Sequence, residues 1–308
     1  MKERYLMEIN GIITAMATPL TEEGPVNVAG VNQLVDHLIN GGVSGLFVLG
    51  TNGEFYSLSK EQKLDLAKAA VNATDGRVPV YAGVGGINTE EVISLAKEME
   101  PIGVTALSVI TPFLIQLTQD ELIEHYEKVA DSSPLPVLMY NIPANTKLNL
   151  EPATVAKLAK HPNIVGIKDS SGDLNQMEEY LNVTKDEDFS VLVGSDSRIL
   201  KALQLGATGA VAATSNVLTK TDVGIYNAFL ANNLEKAEEL QKSIDNFRAV
   251  TKLGSVPSVL KASLNLINIP VGPTCSPVKP VAKESELQKI TNVLKGYQAI
   301  EGFDLKNN

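Results

Sequence analysis

The feature that most constrains this chain is a recurring unit. A short, β-branched apolar run without strict alternation is followed each time by a longer stretch of helical periodicity. Such runs fall at residues 11–18, 45–50, 79–84, 106–111, 136–141, 164–170, 190–195 and 209–214. Apolar runs that do not alternate suit parallel strands covered by helices on their outer face. Helical patterns follow at 31–39, 60–73, 90–98 and 119–130, and Ser59 with Gln62 and Thr118 with Glu121 have the spacing of capping boxes. Eight strand–helix units in 308 residues predict a closed (β/α)8 TIM barrel, an α/β fold. A doubly wound open sheet fits less well. It has fewer units and a glycine fingerprint after its first strand, whereas the first run here continues into Ala17-Thr18-Pro19-Leu20. After Leu230 the strand pattern stops. Residues 234–250, 257–266 and 284–300 read as helices, and a Pro/Gly-rich stretch at 269–281 links the last two. The expected organisation is therefore a catalytic barrel over residues 1–230 and a three-helix C-terminal extension over 231–308.

Composition narrows the chemistry. A net charge of −10 argues against nucleic acid as a partner, and it means that an anionic substrate must be held by local donors. No stretch reaches the roughly 20 apolar residues of a membrane helix, and the charged opening at residues 1–13 does not have the form of a secretory leader. With Cys275 as the single cysteine, the cytoplasm is the expected location and no internal disulfide can form. His37, His125 and His161 lie away from the strand ends and in no metal-ligand spacing, so neither a metal nor another cofactor is expected.

Barrels of this class carry their active sites at the C-terminal ends of the strands. There the sequence offers Lys168, inside the run Ile164-Val165-Gly166-Ile167-Lys168. Alternation puts Val165 and Ile167 on one face and Gly166 with Lys168 on the other. The branched pair suits the helix layer, which turns the lysine into the barrel, where an amine can attack a carbonyl carbon. By pattern alone, a lysine at the strand edge that pairs with Asp169 or reaches solvent fits equally well. Tyr140 ends the neighbouring strand and is placed either to shuttle protons or to pack at the barrel mouth. The glycines of Gly50-Thr51-Asn52-Gly53-Glu54 allow a tight turn that exposes amides and the Thr51 hydroxyl to a carboxylate; a plain tight loop is the other reading. Gly83-Val84-Gly85-Gly86 reads as small-residue packing.

Taken in order and spacing, these segments resemble the family of dihydrodipicolinate synthase and N-acetylneuraminate lyase, the class I, pyruvate-dependent aldolases. The likeness covers nearly the whole chain. It rests on Ala17-Thr18-Pro19, Gly50-Thr51-Asn52-Gly53-Glu54, Tyr140-Asn141-Ile142-Pro143, Gly166-Ile167-Lys168-Asp169, Gly194-Ser195-Asp196 and the region of Pro257 and Lys261. The resemblance implies that Lys168 forms an imine with a 2-oxo acid such as pyruvate, that Tyr140 is the acid/base residue, and that Thr51 holds the carboxylate and relays protons. It further implies substrate contacts from Thr18, Gly50, Asn52, Asn145, Gly194, Ser195 and Val211, and a homotetramer built as a dimer of dimers.

Three positions depart from the synthase pattern. Asn52 stands where synthases have a second threonine, and Leu114 where they have a tyrosine that crosses the dimer. Asn145 replaces an arginine that binds the aldehyde's carboxylate. Without a bidentate donor at Asn145, the sequence favours cleavage of a 2-keto-3-deoxy sugar acid or a sialic acid. Condensation of pyruvate with aspartate semialdehyde, a family dehydratase or deaminase, and a non-catalytic 2-oxo-acid binding protein remain as alternatives.

Overall fold

The computed structural model describes residues 7–306; the reading of the charged opening falls partly on residues 1–6, outside that range. Eight strands close into a barrel in chain order. They are β1 (Gly11–Ala15), β2 (Gly45–Val48), β3 (Val80–Gly83), β4 (Ala106–Ile110), β5 (Val137–Asn141), β6 (Ile164–Asp169), β7 (Ser190–Val193) and β8 (Gly209–Ala212), and every one of their residues is buried. Each lies inside its predicted run, but most end one to three residues earlier. The residues after the strand ends, Thr18, Thr51 and Ser195 among them, turn out into loops instead of extending the ladder.

The helices between strands are α1 (Val28–Asn40), α2 (Lys60–Thr74), α3 (Thr89–Met99), α4 (Gln119–Ser132), α5 (Pro143–Thr146), α6 (Pro152–Leu158), α7 (Leu174–Thr184) and α8 (Ile199–Leu205). After β8 come α9 (Thr219–Leu230), α10 (Leu234–Val250), α11 (Val256–Leu266), α12 (Glu284–Lys295) and α13 (Gln298–Glu301). Both capping boxes form: Ser59 and Gln62 open α2, and Thr118 and Glu121 open α4. The one helix predicted over 284–300 is broken. Gly296, a poor helix former, ends α12, and the chain re-forms as the short α13. No helix among the described residues is long and apolar enough to cross a membrane.

The chain divides into two compact units, one comprising residues up to Gly11 with Tyr81–Val211, the other Ile12–Val80 with residues from Ala212 onward. In the first, the Tyr126 hydroxyl on α4 donates to Val109 O at 2.9 Å, fastening the helix layer to β4. The Asn163 amide donates to Ala130 O at 2.9 Å and ties the end of α4 to the entry of β6. In the second, Asn216 serves β1 from both ends of its amide. It accepts from Ala17 N at 2.9 Å and donates to Ala15 O at 2.8 Å. Buried Glu301 caps α9 by accepting from the amides of Lys220 and Thr221, each at 2.9 Å. Free amides at a helix start favour a carboxylate, which accounts for a burial that raises the Glu301 pKa.

Candidate active site

In the first unit, β5 and β6 set the site. Val137 pairs with Ile164, but Leu138 pairs with Gly166, so β6 carries one extra residue, a bulge at Val165. Beyond it Tyr140 pairs with Lys168 and Asn141 with Asp169. Paired residues share a face and successive ones alternate, so Tyr140 and Lys168 lie on one side of the sheet and Asn141 and Asp169 on the other.

On the first side, Lys168 is 4% exposed and its Nζ sits 3.9 Å from the centre of the Tyr140 ring. Gly166 is required two residues below, because a Cβ there would stand 2.5 Å from Ser190 O. Gly194, just past β7, is crowded by side chains instead of backbone, and these would have to shift to admit a Cβ. Its added Cβ would lie 2.9 Å from Lys168 Cε and 1.9 Å from Ser170 Oγ. That serine hydroxyl is buried without a hydrogen-bond partner. Alternation from Gly209, which pairs with Leu192 of β7, places buried Val211 on this same face.

On the other side, the Asn141 side-chain amide donates to Asp169 Oδ1 and to Asn149 Oδ1, each at 2.9 Å, and its Oδ1 accepts from Leu150 N at 3.1 Å. Ser171 Oγ donates to Asp169 Oδ2 at 2.6 Å. Burial raises the Asp169 pKa, while the bonds from Ser171 and Asn141 oppose that rise. Asp169 is thus engaged on the face opposite Lys168, and the Asn141–Asp169 bond pins the register that brings Tyr140 against Lys168.

The remaining predicted residues of this unit are more open. Ser195 is half-buried, and its hydroxyl lies 3.4 Å from that of Ser197. Asn145 is exposed on α5, which opens at Pro143 and is fastened by Thr111 Oγ1 donating to Thr146 Oγ1 at 2.9 Å. Leu114, at the position of the expected cross-dimer tyrosine, is 85% exposed and holds a left-handed backbone with φ 78°.

In the second unit, residues 50–54 form the predicted tight turn. Gly53 N donates to Gly50 O at 3.0 Å and Glu54 N to Thr51 O at 3.2 Å. Those two amides are therefore spent inside the loop. Thr51 and Asn52 are half-buried, and Gly50 is buried. The Thr18 hydroxyl is fully buried and donates to Gly53 O at 2.6 Å, so it braces the turn. Sequence reading assigned no role to Ser170, whose hydroxyl lies beside Gly194, or to Asp169 as a register clamp, and although it named the region of Lys261 it did not pair that residue with Glu54. Among the described residues no group of three or more His, Cys, Asp and Glu is placed to hold a metal ion.

Comparison with known proteins returns one family. The profile described as the Dihydrodipicolinate synthetase family matches residues 8–296. A protein of Halalkalibacterium halodurans named 4-hydroxy-tetrahydrodipicolinate synthase 1 is 36% identical over 282 residues, covering 92% of this chain and 95% of that protein. The probable 2-dehydro-3-deoxy-D-pentonate aldolase YjhH of Escherichia coli is 35% identical over 288 residues, covering 92% and 95%. Among solved structures, YagE of E. coli K12, described as a prophage protein of the dihydrodipicolinic acid synthase family in complex with pyruvate, superposes with a TM-score of 0.89 at 32% identity. It covers 95% of this chain and 99% of that one.

Proposed function

The chain belongs to the dihydrodipicolinate synthetase family, whose members are lyases of the class I aldolase type, and from that premise we propose that it joins pyruvate to an aldehyde, or cleaves such a product, through an imine on Lys168. The observation that carries this reading is the buried Lys168 amine held 3.9 Å from the Tyr140 ring centre by the β5–β6 register.

Each step has a candidate group. Lys168 Nζ attacks the C2 carbonyl of the 2-oxo acid, and the carbinolamine expels water to give the imine. The imine draws electrons from C3, which loses a proton to form an enamine. The enamine then adds to the aldehyde carbon, and water releases the product and the free amine. Tyr140 delivers and recovers protons at the carbinolamine and at the new hydroxyl. Thr51 holds the 2-oxo acid's carboxylate and relays protons, assisted by Asn52, and Thr18 keeps their loop in shape. Gly194 leaves space beside the lysine, and the unpartnered Ser170 hydroxyl is a donor available to substrate. Ser195 and Val211 line the substrate's path. The enzyme acts in the cytoplasm as a homotetramer.

For the aldehyde, the relatives' names put aspartate semialdehyde first, ahead of the sugar acid that the sequence favours. Most of the similar curated proteins are named 4-hydroxy-tetrahydrodipicolinate synthase. A specific observation keeps the second reading: Asn145 offers an uncharged amide where synthases place an arginine, and one relative is named as a probable pentonate aldolase.

Incubation with pyruvate and borohydride tests the common step. The expected result is a stable adduct on the peptide containing Lys168, absent from Lys168→Ala. No adduct, or one on another lysine, would sink the mechanism. Turnover of pyruvate with aspartate semialdehyde, set against pyruvate release from 2-keto-3-deoxy sugar acids, then decides the substrate.

A further inference from the structure

In the second unit, Glu54 ends the turn that carries Thr51, and its side chain is fully buried at 0% exposure. Its Oε1 lies 2.7 Å from Nζ of Lys261, itself 2% exposed, in the middle of α11. Oε2 accepts from Cys275 N at 2.7 Å, and the Lys261 ammonium also donates to Pro273 O at 2.6 Å. Helix α11 and the 273–275 segment thus close on one carboxylate of the strand-two loop. We propose that the Glu54–Lys261 ion pair is a latch by which the C-terminal helices position Thr51 for the substrate carboxylate, so that the extension is part of the catalytic apparatus. The proposal rests on the imine-forming lyase reading above.

Three observations carry it. The turn behaves as one piece, since Glu54 N is bonded to Thr51 O and Gly53 N to Gly50 O; fixing Glu54 fixes Thr51. Glu54 also holds a left-handed backbone, φ 57°, which a non-glycine residue keeps only when its surroundings impose it. Finally, a buried ion pair is a poor way to gain stability, because desolvation offsets much of the attraction and an apolar pair of similar volume does as well or better. What the pair adds is direction: a carboxylate gripped by the ammonium and a backbone amide has one placement, and the loop follows it. Lys261 and Glu54 act through Thr51 and are positioning residues.

The test compares wild type, Lys261→Arg and the double variant Glu54→Gln/Lys261→Met, which removes both charges and so avoids stranding one in the interior. Melting temperature, the pyruvate concentration that half-saturates borohydride trapping, and the maximal trapping rate are measured for each. A latch predicts that the double variant melts near wild type and needs about ten times more pyruvate, the scale of one charge-assisted hydrogen bond to the substrate, while the maximal rate, to which Thr51 contributes only as a proton relay beside Tyr140, falls by a smaller factor. Lys261→Arg should recover part of the affinity. Unchanged half-saturation at intact stability, or a loss of affinity that only tracks lowered melting, overturns the proposal. Amide exchange over residues 50–56 reads the latch without substrate. It should quicken in the double variant, and unchanged exchange also overturns the proposal. If wild type takes up no pyruvate, the lyase reading fails by itself and the exchange experiment still judges the latch.

Discussion

Gly194→Ala probes how closely the fold packs around Lys168, the amine proposed to form the imine. The added Cβ would lie 2.9 Å from Lys168 Cε and 1.9 and 3.0 Å from Ser170 Oγ and Cβ. Carbon atoms rest comfortably at about 3.5 Å, so Lys168 Cε must retreat by roughly half an ångström. A misplacement of about 1 Å costs on the order of a hundredfold in rate, and half of that barrier is about tenfold. The serine clash adds overpacking, worth about 1–3 kcal/mol of stability. Two effects are therefore expected, and they separate. Single-turnover trapping of pyruvate by borohydride should slow about tenfold in Gly194→Ala, and melting should fall. Removing the serine as well, in Gly194→Ala/Ser170→Gly, deletes both close approaches to the serine but leaves the one to the lysine. Stability should recover while trapping stays slow. If Gly194→Ala traps at the wild-type rate, or if the double variant recovers rate along with stability, then displacement of Lys168 is not what the glycine prevents.

Tyr140→Phe should still form the pyruvate adduct but lose about 10²–10⁴-fold in kcat; near wild-type turnover would reduce Tyr140 to packing. Asn145→Arg should shift the kcat/KM ratio towards aspartate semialdehyde and away from hydroxylated keto acids by roughly ten- to a hundredfold. A wild type that already prefers the semialdehyde, with a variant no better, would show that this position does not set the substrate. His125 is buried between α3 and α4, with Nδ1 2.9 Å from Thr89 Oγ1 and Nε2 without a partner. Burial lowers its pKa from 6.5 to about 4. The unfolded chain therefore takes up the proton first, and stability present above pH 6.5 is lost as pH falls towards about 4. From pH 7 to pH 5 this amounts to about 2 kcal/mol. Urea unfolding at both pH values should show the loss in wild type and a smaller one in His125→Gln, and equal losses in both would count against it. His37, lowered by burial in the same direction, supplies part of the residual.

What the sequence determined by itself is what depends on near neighbours in the chain. Strand existence follows from runs of branched apolar residues, helix starts from Ser59 and Thr118 with their partners three residues on, and the shared face of Gly166 and Lys168 from the alternation around them. The length and number of those units bounded the fold to a closed barrel, because so many parallel strands need covering on every side. The tertiary structure alone decided which residues meet. Without the extra residue at Val165, the pairing of Val137 with Ile164 would set Tyr140 opposite Ile167; the bulge moves it opposite Lys168. A slip of one residue inverts every side chain that follows, and no local pattern marks the place. The folded turn consumes the Thr18 hydroxyl and the amides of Gly53 and Glu54. Cys275 reaches Glu54 across 221 positions. Periodicity is a property of segments, whereas register, burial and the pairing of distant charges arise only when segments exclude water together.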